Sequence, residues 1–287
     1  MFTKKHFGFT LQLLIAVLTI SLLLPACSAA DSSTTLPDPT ATSAPAVTVE
    51  PTATTAPIVP AATAVPTTDD SLDISLDTGG MATGFQTETV SAVPASDNAP
   101  YWEVLPEYTR VTLEGYPISN HLMQPQIFIY PAQELEEVNE DAGQIVASLQ
   151  TLIQSPQEIP NMPFLPLFNA AQVMHAHTQY LDFKNGQGLR YLTEYAQGIV
   201  PINNYELIYT YQGLTSDGQY YVAAVLPVGH PSLPEGANIT GNEPPAFTSD
   251  FPAYVADVVS TLNPQPGNTF TPDLTQLDAM MSSLEIN

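Results

Sequence analysis

The chain has 287 residues, with 29 acidic and 5 basic side chains and a formal net charge of −24 at pH 7. Such an acidic protein repels phosphate backbones and anionic headgroups, which excludes nucleic acid as a partner and a basic membrane-binding patch. A single cysteine excludes an internal disulfide, so the fold must depend on its core.

The first 26 residues have the form of an export signal peptide. Lys4 and Lys5 precede an uncharged apolar run from Phe7 to Leu24, which is the order of charged and hydrophobic regions in signal peptides. The run is about 18 residues long, so a retained membrane-spanning anchor is the alternative. In both cases the remaining chain faces away from the cytoplasm.

The apolar run ends in Leu24-Pro25-Ala26-Cys27. This resembles the lipobox of bacterial lipoproteins, in which a leucine and a small residue precede a cysteine that is lipidated. Pro25 departs from the residue usual at its position. The resemblance implies acylation of Cys27, with palmitate or a similar chain, and a lipid anchor on the extracytoplasmic face of the cell membrane. It implies no activity.

Residues 27–97 are predicted to form a disordered linker. Threonine, proline, alanine and serine dominate, and the first aromatic residue after the signal peptide is Phe85. Frequent prolines remove backbone donors and favour an extended, solvated chain. Because all 29 acidic residues but only three basic ones follow Cys27, the mature chain carries a formal charge of −26.

Residues 98–287 are predicted to form one globular α+β domain, since all 13 tyrosines lie there. Residues 108–113 and 126–130 have strand composition. Residues 172–184 and 187–196 flank Asn185-Gly186, a two-residue turn that requires positive φ, and residues 205–212 and 219–228 flank Asp217-Gly218. These two hairpins predict a four-stranded antiparallel meander in addition to the two earlier strands.

Amphipathic helices are predicted after Asn139, after Asp250 and from Thr271-Pro272, and we expect them to pack on the sheet. This element order is similar to that of small α/β/α sandwich modules such as the PsbP/Mog1 class. The stretch 188–228 also resembles uncharacterised bacterial surface lipoproteins, a resemblance that implies no activity.

His175 and His177 form the clearest candidate metal pair, because residues two apart on a strand point to the same face. The alternative is that both lie on the solvated face of a strand. A site needs further ligands, and the candidates are His121, Asp182, Glu194 and His230.

A second candidate site consists of aromatic and apolar residues that could bind a sugar or a peptide if one sheet face were exposed. The alternative is that they belong to the core. The residues are Phe164, Leu165, Phe168, Tyr191, Tyr195, Tyr209 and Tyr211.

Catalysis has little support in the sequence. There is no Gly-x-Ser-x-Gly motif, the only cysteine belongs to the anchor, and a chance carboxylate pair such as Glu194 and Glu206 is expected in so acidic a chain. We therefore expect an envelope lipoprotein with a non-catalytic binding or structural domain and no cofactor. Its partners would be the membrane, through Cys27, and a cell-wall glycan or envelope protein. The alternative is a metal-binding or hydrolytic envelope protein that uses His175 and His177.

Overall fold

The computed structural model describes residues 72–157 and 159–287, so the predicted signal peptide, the lipidation site Cys27 and most of the predicted linker lie outside the described residues. The described residues form nine strands and five α-helices. The strands are β1 (Ile74–Ser75), β2 (Gly84–Val90), β3 (Tyr108–Glu114), β4 (Gln126–Pro131), β5 (Ala171–Phe183), β6 (Gly186–Ala196), β7 (Ile208–Thr215), β8 (Tyr220–Pro227) and β9 (Glu285–Ile286). The helices are α1 (Ala132–Val138), α2 (Glu140–Gln154), α3 (Pro245–Ser249), α4 (Phe251–Leu262) and α5 (Leu274–Ser282).

Seven strands form one sheet in the order β2-β3-β4-β8-β7-β6-β5. Every neighbouring pair is antiparallel. The predicted meander is confirmed as β5 to β8, and the two predicted earlier strands are β3 and β4. The α+β class with an antiparallel sheet is confirmed.

Helices cover both faces of the sheet. On β4, Phe128 and Tyr130 pack in the cluster that contains α1 and α2, whereas Ile127 and Ile129 pack in the cluster that contains residues of α3, α4 and α5. Alternate side chains of a strand point to opposite faces, so these two clusters lie on either side of the sheet. The domain is a three-layer α/β/α arrangement, and its central strands have no solvated face.

The helix caps follow the sequence signals closely. The side chain of Asn139 accepts from the backbone of Ala142 at 3.1 Å, and that of Asp250 accepts from Ala253 at 3.2 Å. These are the N-cap bonds that satisfy otherwise unpaired helical N–H groups. The last helix starts later than predicted, because its cap is Asp273 and not the Thr271-Pro272 step.

The predicted boundary at residue 98 is wrong, because β1 and β2 lie inside the predicted linker. β2 pairs with β3 from Gly84 to Val90 along its whole length. Four consecutive polar residues of β2, from Gln86 to Thr89, are exposed. An edge strand presents such residues to solvent, which is why its sequence resembles that of a linker.

The first hairpin turn is displaced by one residue from its predicted position. Phe183 pairs with Gly186, so the turn residues are Lys184 and Asn185, and neither has positive φ. Gly186 is required for another reason: a Cβ there would overlap the ring of Phe183 and the carbonyl oxygen of Leu214. The second turn lies at the predicted place, with Gly218 at φ +73°, but Asp217 does not have the positive φ that a type I′ turn requires.

The proline-rich loop from residue 160 to 168 folds over the face that carries α1 and α2. The side chain of Gln212 accepts from the N–H of Leu165 at 3.0 Å and donates to the carbonyl oxygen of Leu165 at 3.1 Å. The hydroxyl of Tyr191 donates to the carbonyl oxygen of Pro163 at 2.8 Å. Buried polar side chains thus take the place of the backbone partners that an irregular segment lacks.

The two short strands bring the two ends of the described domain together. Ile74 pairs with Ile286, and Ser75 pairs with Glu285. Next to them, Asp73 and Asn287 exchange two backbone hydrogen bonds of 3.0 and 2.9 Å. The chain therefore enters this domain beside the point at which it reaches Asn287.

Candidate ligand-binding groove

The tyrosines predicted to bind a ligand are core residues. Tyr191, Tyr209 and Tyr211 are each 0% exposed. Their hydroxyl groups donate to protein oxygen atoms at distances of 2.8 to 3.0 Å. Of the two alternatives left open by the sequence, these three tyrosines belong to the core, because helices cover both faces of the sheet where they lie.

The apolar loop residues predicted as a binding patch also face inward. Phe164 and Leu165 are buried, and Phe168 and Tyr195 are half-buried. The ring centroid of Phe164 lies 4.5 Å from that of Tyr195 and 5.2 Å from that of Phe168. Phe164 is 4% exposed and Leu165 is 0% exposed, so neither offers surface to a ligand, which corrects that part of the prediction.

A β-bulge changes the positions of the two predicted metal ligands. The register of β5 against β6 shifts within residues 176–179, and His177 has φ +53°. The N–H of His177 donates to Asn263 Oδ1 at 2.8 Å. Its Nε2 donates to the carbonyl oxygen of Leu262 at 2.7 Å, because a carbonyl can only accept. The bulge interrupts the alternation from which the sequence placed His175 and His177 on one face, although both residues line one polar pocket beside α4.

The described residues do not bring a metal-binding set together around His177. Burial lowers its pKa, and the hydrogen bond to Leu262 offsets only part of that effect. Within residues 72–157 and 159–287, no three His, Cys, Asp or Glu side chains are grouped so that they could hold a metal ion. His177 instead connects the bulge of β5 to the end of α4.

An apolar groove runs between β5 and α4, and we call it the β5–α4 groove. Its volume is about 690 Å³, within the range of roughly 300–1,000 Å³ typical of small-molecule sites. One wall is the α4 stripe Phe251, Val255 and Val259, whose side chains are only half-buried. The rest of the lining comes from residues 171–175, residues 196–198, Pro160, Pro252 and Ala256.

A polar pocket of about 370 Å³ continues the groove at its far end, and we call it the donor pocket. It is lined by residues 175–179, Arg190, Val259 and Asn263. His175 and Val259 line both the groove and this pocket, so the two spaces adjoin. A ligand along β5 would therefore meet an apolar surface first and a polar one at the end.

Arg190 forms the inner wall of the donor pocket and is 6% exposed. Its Nε donates to Asp278 Oδ1 at 3.0 Å, and its Nη2 donates to Asp278 Oδ2 at 3.3 Å and to Gln179 Oε1 at 2.9 Å. Its Nη1 donates to the carbonyl oxygen of His177. A buried charge needs such a partner, and Asp278 neutralises it.

Glu194 and Glu206 come together through Asn203, beneath α4. Glu194 is fully buried; its Oε2 accepts from the N–H of Asn203 at 2.9 Å, and Asn203 Nδ2 donates to Glu206 Oε2 at 2.8 Å. Among the described residues Glu194 Oε1 has no hydrogen-bond partner. Burial raises the pKa of Glu194 to about 8, and the charge of Glu206 adds to that effect. The side chain of Glu194 is therefore mostly neutral at pH 7, and its hydrogen bond to the N–H of Asn203 holds the segment before β7 in place.

The sequence pattern of α4 contained an unused signal for the groove. Its apolar positions form two adjacent stripes, Phe251-Val255-Val259 and Tyr254-Val258-Leu262. Tyr254 and Leu262 are buried, whereas the first stripe is only half-buried. The apolar face of α4 is wider than packing on the sheet alone requires. This excess width indicates that part of the face is left for another contact.

In the described part of the chain, no helix is both long enough and apolar enough to cross a bilayer. No protein-family description, curated protein or solved structure matches this chain. The likenesses to the PsbP/Mog1 class and to surface lipoproteins therefore stay predictions.

Proposed function

We propose that this chain is an extracytoplasmic lipoprotein whose folded domain binds a ligand in the β5–α4 groove without transforming it. The anchor is a diacylglyceryl group on Cys27, supported by the Leu24-Pro25-Ala26-Cys27 motif and by the absence of any other cysteine in the chain. The negative charge makes the lipid, and not a basic patch, the means of membrane contact.

The observation that carries the binding function is the groove itself. Phe251, Val255 and Val259 leave apolar surface partly exposed beside β5. Exposed apolar surface lining a concavity of this size is characteristic of ligand sites. The lining favours an apolar small molecule over a cell-wall glycan, whose hydroxyl groups would be left without partners along most of the groove.

The anchor is tested by metabolic labelling with a radioactive fatty acid. Wild-type protein should incorporate the label, and Cys27→Ser should not. Equal labelling of the two proteins would refute the anchor and leave a retained apolar helix as the explanation of the N-terminal segment.

The groove is tested with the full chain carrying Cys27→Ser and the fluorescent probe 1-anilinonaphthalene-8-sulfonate. We expect saturable binding of one probe molecule. Ala256→Trp, at an exposed position in the groove lining, should weaken that binding at least tenfold. Thr261→Trp is the matched control, because Thr261 is also exposed but lies on the other flank of α4. The same affinity in Ala256→Trp and Thr261→Trp would refute the assignment of the groove as the site.

A further inference from the structure

The donor pocket presents hydrogen-bond donors to whatever occupies it, and the protein's own bonds determine this. Asn263 uses its side-chain oxygen to accept from His177, and Gln179 uses its side-chain oxygen to accept from Arg190. Each amide has one oxygen and one NH₂ group. Both oxygens are engaged, and neither NH₂ group donates to a residue in the described part of the chain, so both are left for a ligand or for solvent.

Arg190 contributes a further donor. A guanidinium has five N–H donors, and the contacts to Asp278, Gln179 and His177 use four of them. The remaining one belongs to Nη1. The residues that line the pocket thus include three side chains with N–H groups to spare, which suit a ligand head that accepts hydrogen bonds better than a cationic head that can only donate them.

The charge of the site limits the kind of acceptor. Asp278 contacts Arg190 with both carboxylate oxygens, so the pair has no net charge. The domain around it is strongly acidic. A doubly charged phosphate would find too little positive potential here, whereas a monoanion that accepts several hydrogen bonds needs mainly donors.

We infer that the ligand of this groove is a long-chain aliphatic monocarboxylate, with its carboxylate in the donor pocket and its chain along Val255 and Val259. This inference rests on the proposed binding function and gives the groove a direction. The apolar part and the polar part adjoin at His175 and Val259, which suits a molecule with one polar end and an unbranched apolar body.

The test compares dodecanoate, 1-dodecanol and dodecylamine by calorimetry on the full chain carrying Cys27→Ser, at concentrations at which each compound is dissolved as single molecules. Dodecanoate should bind at least tenfold more tightly than each of the others. In that background Gln179→Glu and Asn263→Asp replace a donor by a carboxylate oxygen. Each leaves an oxygen to accept from Arg190 or from His177, so the fold should be kept. Each should weaken dodecanoate binding at least tenfold and leave dodecanol binding unchanged.

Gln154→Glu is the matched control, since it adds the same charge at an exposed position on α2, on the opposite side of the sheet. Equal affinity for dodecanoate and dodecanol, with no effect of Gln179→Glu or Asn263→Asp, would overturn the carboxylate assignment and leave the groove as an apolar site. If none of the three compounds binds and the fluorescent probe is insensitive to Ala256→Trp, the proposed function fails as well.

Discussion

Replacing Glu194 by glutamine is expected to remove a large pH dependence from the stability of the domain. The folded-state pKa of Glu194 is about 8 because its carboxyl group is buried beside Glu206, whereas the ordinary value is 4.5. Below pH 4.5 the acid is protonated in both the folded and the unfolded chain. As the pH rises from 4.5 to 8, the unfolded chain releases this proton and the folded chain retains it, so stability falls.

The size of the effect follows from those two values. Between the two pKa values, each pH unit lowers the free energy of unfolding by about 1.4 kcal/mol at 25 °C. The interval from pH 5 to pH 8 therefore corresponds to a loss of roughly 4 kcal/mol. Glutamine reproduces the neutral acid, because its carbonyl oxygen can accept from Asn203 as Oε2 does. The stability of Glu194→Gln should therefore equal that of the wild type near pH 4.5 and exceed it by a growing margin as the pH rises.

Urea denaturation of the full chain at pH values from 5 to 9 measures this directly. Glu107→Gln is the control, because it makes the same chemical change at an exposed position. Its stability should parallel that of the wild type across the whole range. If the free energy of unfolding of Glu194→Gln also parallels that of the wild type over this pH range, the claim that Glu194 is neutral in the folded protein is wrong.

Three further experiments test the fold: urea denaturation of glycine variants, urea denaturation of a glutamine variant, and limited proteolysis. Gly186→Ala should lower the free energy of unfolding by about 1–3 kcal/mol, because the added Cβ overlaps its neighbours. Gly218→Ala should lower it by about 1–2 kcal/mol, because of the positive φ at this position. Gly198→Ala is the control and should be close to neutral, since Gly198 has open space and no positive φ; equal stabilities in all three variants would contradict both explanations. Gln212→Leu should cost about 3 kcal/mol, because both backbone groups of Leu165 lose their partner; a loss below about 1 kcal/mol would mean that the loop is held in another way. Limited proteolysis should leave a resistant fragment that begins before residue 74, and cleavage in residues 84–90 of the folded protein would contradict the pairing of β2.

Local signals in the sequence predicted those parts of the fold that depend on neighbouring residues. The caps at Asn139 and Asp250, the turn at Gly218 and the four strands of the meander each have a signal within a few residues. β2 has no such signal, because its pairing with β3 is decided by sheet position and its polar side chains face solvent.

The candidate site was less accessible to sequence reasoning because it depends on contacts between distant segments. Alternation along β5 predicted that His175 and His177 share a face. A bulge interrupts this alternation at His177, where the residue contacts Leu262 and Asn263 at the end of α4. In the same way, the tyrosine pattern cannot tell whether one or both sheet faces are covered. The donor pocket requires β5, β6 and α4 together, and residues 86 positions apart meet there.

The pairing of β1 with β9 determines how a mechanical load would enter the domain. With the lipid anchor proposed at Cys27, a pull along the chain would reach the described residues first at residue 72. There it acts on the short ladder formed by Asp73, Ile74 and Ser75 with the residues up to Asn287. The pair β1–β9 would therefore be the first contact of the domain to bear such a load.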